Sequence, residues 1–172
     1  ARPTENVTIT NCHVFGFDHG TMLDGTFKTE FRDEQPNANH SITGRLKLGT
    51  ESNGGFKNIT VSNCVFEHSR GMAIETADGG IIEDILIDNI TMRDITDTPF
   101  FIRLNARMRG PEGTPVGVCR RITLSNINVY DVGGRPKFPE IGAAMIMGIP
   151  GYYIEDLTLN NIRIYYRGGA SK

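Results

Sequence analysis

One phrase of seven residues recurs along the chain, and no other feature restricts the fold as strongly. It reads Asn6-Val7-Thr8-Ile9-Thr10-Asn11-Cys12 and returns as Asn58-Ile59-Thr60-Val61-Ser62-Asn63-Cys64. Three further copies are Asp84-Ile85-Leu86-Ile87-Asp88-Asn89-Ile90, Arg121-Ile122-Thr123-Leu124-Ser125-Asn126-Ile127 and Asp156-Leu157-Thr158-Leu159-Asn160-Asn161-Ile162. Apolar and polar residues alternate in every copy, the mark of a strand with one buried face. The second Asn falls at 11, 63, 89, 126 and 161, so the intervals are 52, 26, 37 and 35 residues. The shortest is the bare repeat, and the others contain insertions: a polar stretch at 28–43 and Gly/Pro loops at 109–117 and 133–139.

A period near 26 with several short strands per copy implies a solenoid of stacked coils, each burying its inward residues against its neighbours about 4.8 Å away. The expectation is an all-β, right-handed parallel β-helix of about five coils, forming a single domain over residues 1–172. The recurrent Asn residues are expected in one column at a tight bend, where their amides can hydrogen-bond along the stack. An antiparallel sandwich would call for hairpin turns between adjacent strands rather than one phrase repeated in register.

Composition agrees with many strands and turns: the 172 residues include 20 Gly and 8 Pro and no Trp. The formal net charge of −2 speaks against a nucleic-acid partner held by a broad basic field. The longest apolar runs are too short for a membrane-spanning helix, and no charged segment followed by an apolar one marks an export signal. The three cysteines lack metal-ligand spacing, and no metal or other cofactor is expected. Cys12 and Cys64 stand at equivalent places in the phrase and read as small buried apolar residues.

Beyond the repeat, Gly49-Thr50-Glu51-Ser52-Asn53-Gly54-Gly55 leads into a strand and an Asn-Cys bend, followed by Arg70-Gly71-Met72-Ala73-Ile74-Glu75-Thr76. This series resembles the polygalacturonase family, glycoside hydrolase family 28, and Ile149-Pro150-Gly151-Tyr152-Tyr153 before the last phrase resembles the closing coils of its bacterial members. The resemblance implies hydrolysis of pectin-type polysaccharides by an inverting mechanism without a cofactor, in a secreted or periplasmic enzyme. Such a mechanism needs one protonated carboxyl at the leaving oxygen and a second carboxylate to activate water. The family carries these aspartates in an Asn-Thr-Asp motif and an Asp-Asp pair, and neither sequence occurs in this chain. The chain is therefore expected to be the C-terminal portion of a longer enzyme, nearly inert by itself. Its Arg45-Leu46-Lys47 falls in the family's Gly-His-Gly slot, and the Arg-Ile-Lys slot holds Ala73-Ile74-Glu75.

Candidate site residues follow from chemistry and placement. Glu75, Asp24 and His19 are the candidates for acid–base work, although turn positions suit aspartate equally well. Arg45 and Lys47 alternate with Leu46 and Leu48, so both cations face outward and could grip a uronic-acid carboxylate; a solvated strand face is the competing reading. Arg103 joins Arg107 and Arg109 in a second basic cluster running into a Gly/Pro loop. Met145 and Met147 read as coil packing. With 14 residues counted back from each Asn bend and the insertion removed, Glu75 and Arg103 become neighbours across a ladder. The expected partner is an acidic polysaccharide or oligosaccharide. A carbohydrate-binding or purely structural β-helix, of adhesin or tailspike type, is the alternative.

Overall fold

The computed structural model describes residues 2–16, 23–26, 45–132 and 144–166. The insertions at 28–43 and 133–139 lie outside the described residues, whereas 109–117 is an irregular loop. Among the described residues there are ten strands: β1 (Thr4–Thr10), β2 (His13–Phe15), β3 (Leu46–Leu48), β4 (Phe56–Glu67), β5 (Met72–Thr76), β6 (Ile81–Arg93), β7 (Phe100–Leu104), β8 (Val118–Val132), β9 (Met145–Met147) and β10 (Ile154–Tyr166).

They form two sheets of parallel strands. The long strands order as β1-β4-β6-β8-β10, with β2 also on β4, and the short ones as β3-β5-β7-β9. Successive strands of a sheet are therefore not successive in the chain, because the path alternates between sheets. This all-β architecture is consistent with a coarse solenoid of the β-helix type.

The repeated phrase sets the register of the long sheet. Ile59 pairs with Val7 and Ile85, and Val61 pairs with Ile9 and Ile87. These columns continue through Ile122 and Leu124 of β8 to Leu157 and Leu159 of β10. Like side chains thus stack on like in these columns, and their inner members such as Ile59, Ile87 and Ile122 are buried. Each apolar side chain meets its equivalents above and below, which is how such a stack buries a continuous core.

The bends have a definite backbone cause. Asn58, Asn63 and His68 all take positive φ, at 53°, 54° and 45°. The same spacing recurs at Asp84, Asn89 and Asp94 (59°, 53°, 51°) and at Arg121, Asn126 and Asp131 (51°, 53°, 57°). Each long strand is thus a series of extended runs joined by single left-handed residues, a conformation that Asn and Asp tolerate better than other side chains.

Asn11, Asn63, Asn89, Asn126 and Asn161 occupy one column, all with φ between 52° and 56°. The amide ladder is continuous only in parts. Asn89 Nδ2 donates to Asn63 Oδ1 and Asn161 Nδ2 to Asn126 Oδ1, each at 2.8 Å. Asn126 instead donates to Asp88 Oδ1 at 2.9 Å, so the left-handed bend is the more constant property of the column.

Cys12 corrects one expectation. Cys64 and Cys119 are buried, yet Cys12 is exposed although it holds the equivalent position to Cys64. Both thiols donate to the carbonyl two residues earlier, Cys12 to Thr10 at 3.3 Å and Cys64 to Ser62 at 3.1 Å. The difference is position in the stack. Among the described residues β1 is the last strand of the long sheet on that side and none of them covers Cys12, whereas burial pushes the Cys119 thiol up to about 12.

Candidate functional site

The short-strand sheet carries a cleft. Along β5, Met72, Ile74 and Thr76 alternate with Ala73 and Glu75, and the second pair forms the outer row. Lys47 of β3 pairs with Ala73, which pairs with Phe101 of β7 and through it with Met145 of β9. Glu75 pairs with Arg103, which pairs with Met147. These rows floor a cleft of about 470 Å³ that Arg45, Lys47, Arg70, Glu75, Asp97 and Phe101 help to line.

Glu75 is only 4% exposed, and both of its oxygens are engaged. Lys47 Nζ lies 3.6 Å from Oε1 and Arg103 Nη2 lies 3.2 Å from Oε2. The expected contact between Glu75 and Arg103 in adjacent strands is therefore present. The Arg103 guanidinium also sits 5.2 Å over the Phe101 ring, which holds it along the sheet surface. Gly49 (φ 95°) belongs to this arrangement, since a Cβ there would collide with the Glu75 carbonyl oxygen.

A second carboxylate reaches the same cleft. Asp97, 6% exposed, accepts from Arg70 Nε at 3.1 Å and Nη2 at 3.0 Å, both through Oδ2. Three cations, Arg45, Lys47 and Arg70, thus line the cleft with two carboxylates, Glu75 and Asp97, each of them already ion-paired. Among the described residues, Phe101 and Met145 supply its apolar wall.

The other candidates are placed elsewhere. Asp24 sits in an exposed turn, where its carboxylate accepts from the Thr26 hydroxyl at 2.6 Å and the Thr26 backbone N–H at 2.9 Å. Those bonds, the hydroxyl's first, hold it below the usual aspartate value, the opposite of what a general acid needs. His19 lies outside the described residues. Arg103 pairs with Glu75, whereas Arg107 and Arg109 hold a different acid. They wrap Asp78: Arg107 Nε donates to Asp78 Oδ1 at 2.8 Å, its Nη2 to Oδ2, and the Arg109 backbone N–H to Oδ1 at 3.0 Å. The Arg107 contact above all lowers Asp78 to about 2. Met145 lines the cleft, and Met147 is 40% exposed, so neither is enclosed packing.

Arg70 and Asp97 were not among the candidates from sequence, yet a signal for them exists. Side chains one repeat apart are stack neighbours, and opposite charges recur at that offset: Lys57 and Glu83 differ by 26, Arg70 and Asp97 by 27, Glu75 and Arg103 by 28, and Asp78 and Arg107 by 29. A scan for opposite charges at the repeat distance would have found every one.

Among the described residues no group of three or more His, Cys, Asp or Glu side chains is placed to hold a metal ion. Compared with known proteins, the chain matches no family model, no curated protein and no solved structure.

Proposed function

We propose that the chain is a right-handed parallel β-helix of about five coils, the C-terminal portion of a polygalacturonase-like glycoside hydrolase, and that its cleft binds an acidic saccharide. The observation carrying this reading is that Arg45, Lys47 and Arg70 line one cleft beside the Phe101 ring among the described residues. A uronic-acid carboxylate suits the guanidinium and ammonium groups of Arg45, Lys47 and Arg70, and a sugar's C–H face suits the Phe101 ring. Glu75 serves as the internal counter-ion that positions Lys47 and Arg103. Its oxygens face cations, so the acid–base pair of an inverting hydrolase comes from outside these residues.

The test is titration calorimetry of the chain with a galacturonate oligomer and with a neutral oligomer of the same length. The expected result is binding of the acidic oligomer alone, weakened by salt and lost in the Lys47→Ala/Arg70→Ala variant. Equal affinity for both oligomers would overturn the proposal. The engagement of both Glu75 oxygens also favours a second reading, a carbohydrate-binding β-helix without catalysis. Release of reducing ends by a form of the protein extended upstream would decide against it.

A further inference from the structure

Two thiols share one column of the long sheet. The position after the left-handed Asn reads Cys12, Cys64, Ile90, Ile127 and Ile162. Thr10 pairs with Ser62 and His13 with Val65, so the register sets Cys12 beside Cys64 from both sides. The Val65 backbone N–H donates to the Cys12 carbonyl oxygen at 2.9 Å, and the Asn11 backbone N–H to that of Ser62 at 3.2 Å. Both side chains take the same course, since each thiol donates to the carbonyl two residues earlier. Burial raises the Cys64 thiol, and Cys12 acts on it as well: its backbone N–H lowers the value and its thiol raises it. The two thiols are therefore direct neighbours.

Packing alone does not ask for this pair. Isoleucine fills the same position in three other strands, and Cys119 has Ile82 and Ile154 as its in-register partners, neither of them a thiol. Paired strands run about 4.8 Å apart, inside the roughly 4.4–6.8 Å that a disulfide spans between Cα atoms. Its Cβ atoms must approach to about 3.5–4.5 Å, a little closer than a regular ladder holds them. Cys12 can make that shift because it lies in the break between β1, which ends at Thr10, and β2, which begins at His13.

We propose that Cys12 and Cys64 are a redox pair, converted by hydrogen peroxide to a disulfide that fastens the β1–β2 segment to β4. The Cys12 sulfur attacks the O–O bond, which breaks to leave a sulfenic acid on Cys12 and one water. The Cys64 sulfur then attacks the Cys12 sulfur. The S–S bond forms, the S–O bond breaks, and the departing hydroxide takes the Cys64 thiol proton as a second water. Two thiols have lost two electrons and two protons to one peroxide, and a dithiol reductant reverses the change.

The whole chain, reduced and folded, is treated with hydrogen peroxide, quenched, alkylated and mapped by mass spectrometry. Of the three cysteines Cys119 alone should keep its thiol, and a peptide pair joined through Cys12 and Cys64 should appear. The urea midpoint should rise on oxidation and return with the dithiol reductant. In the Cys12→Ser chain Cys64 should oxidise at least about tenfold more slowly, having lost the sulfenic partner it reacts with. In the Cys64→Ser chain dimedone should trap Cys12 as its sulfenic acid. Survival of all three thiols in the unmodified chain would overturn the proposal. So would a folded chain in which Cys12 joins a second molecule or Cys119 in place of Cys64.

Discussion

Replacing Asn89 tests whether the repeated phrase owes its Asn to backbone shape. Asn89 has φ 53°, is exposed, and donates from Nδ2 to Asn63 Oδ1 at 2.8 Å. Asn89→Ala removes that hydrogen bond, a net loss of about 0.5–1.5 kcal/mol. It also places an ordinary side chain in the left-handed region, which costs about 1–2 kcal/mol. The sum is about 1.5–3.5 kcal/mol, large beside a typical total stability of about 5–15 kcal/mol. Asn89→Gly loses the same bond but accepts the positive φ freely, so it should retain about 0.5–1 kcal/mol more stability than Asn89→Ala. Leu86, 40% exposed on the same strand, has no positive φ and provides the control. There Gly should be worse than Ala by about 0.5–1 kcal/mol, and the order reverses. Urea unfolding followed by circular dichroism, with the slope unchanged, reads each difference as a shifted midpoint. If Asn89→Gly proves as unstable as Asn89→Ala, or worse, the left-handed bend does not explain the phrase.

Position in the stack should decide the cost of core truncation. Ile87→Ala, fully buried between Val61 and Leu124, should cost about 2–5 kcal/mol, whereas Leu159→Ala in the same column, half exposed on β10, should cost under about 1 kcal/mol by the same unfolding assay. Stability should fall as pH drops from the ordinary carboxylate range toward 2. Glu83 is held at about 2, chiefly by Arg120 and then Lys57, and Asp78 at about 2, chiefly by Arg107. Both values are depressed by folding, so the stabilisation is complete above the unfolded values near 4 and is lost as pH descends through 2. Unfolding midpoints measured across that window should decline less in Glu83→Gln than in the unmodified chain. Glu75→Gln should raise affinity for an acidic oligosaccharide by about fivefold, equivalent to ~1 kcal/mol, by releasing Lys47 and Arg103 from their counter-ion; calorimetry showing weaker binding would contradict that role.

The parallel stack was legible because the phrase repeats what stacking demands. Val7, Ile59, Ile85, Ile122 and Leu157 are the same kind of residue because each packs on the next. The Glu75–Arg103 contact was legible too, since it follows from counting back from the Asn bends once the 109–117 insertion is removed. What escaped was governed by distance from the phrase. Asp97 precedes β7 with no motif around it, and only its offset from Arg70 betrays the pair. The hold of Arg107 and Arg109 on Asp78 was not legible either, because strand β7 ends at Leu104 and the chain then turns to enclose that aspartate. Cys12 was misplaced because a repeat pattern records the equivalent position, not whether a neighbour covers it.

The two sheets differ in how their columns behave, and that difference locates the cleft without reference to any motif. Inward columns of the long sheet repeat one residue type, as packing requires. The outer column from Glu5 to Glu155 does not repeat, but it alternates in charge, and its buried member Glu83 is matched by cations on both flanks. Over the short sheet the outer rows do neither. Lys47, Ala73, Phe101 and Met145 change character at every step, and Glu75 stands among more cations than it can neutralise. In a stacked fold, a column that neither repeats nor balances its charge among the described residues is not explained by the stacking of those residues alone. The acidic saccharide proposed above is one occupant that the arginine and lysine side chains beside Ala73 would suit.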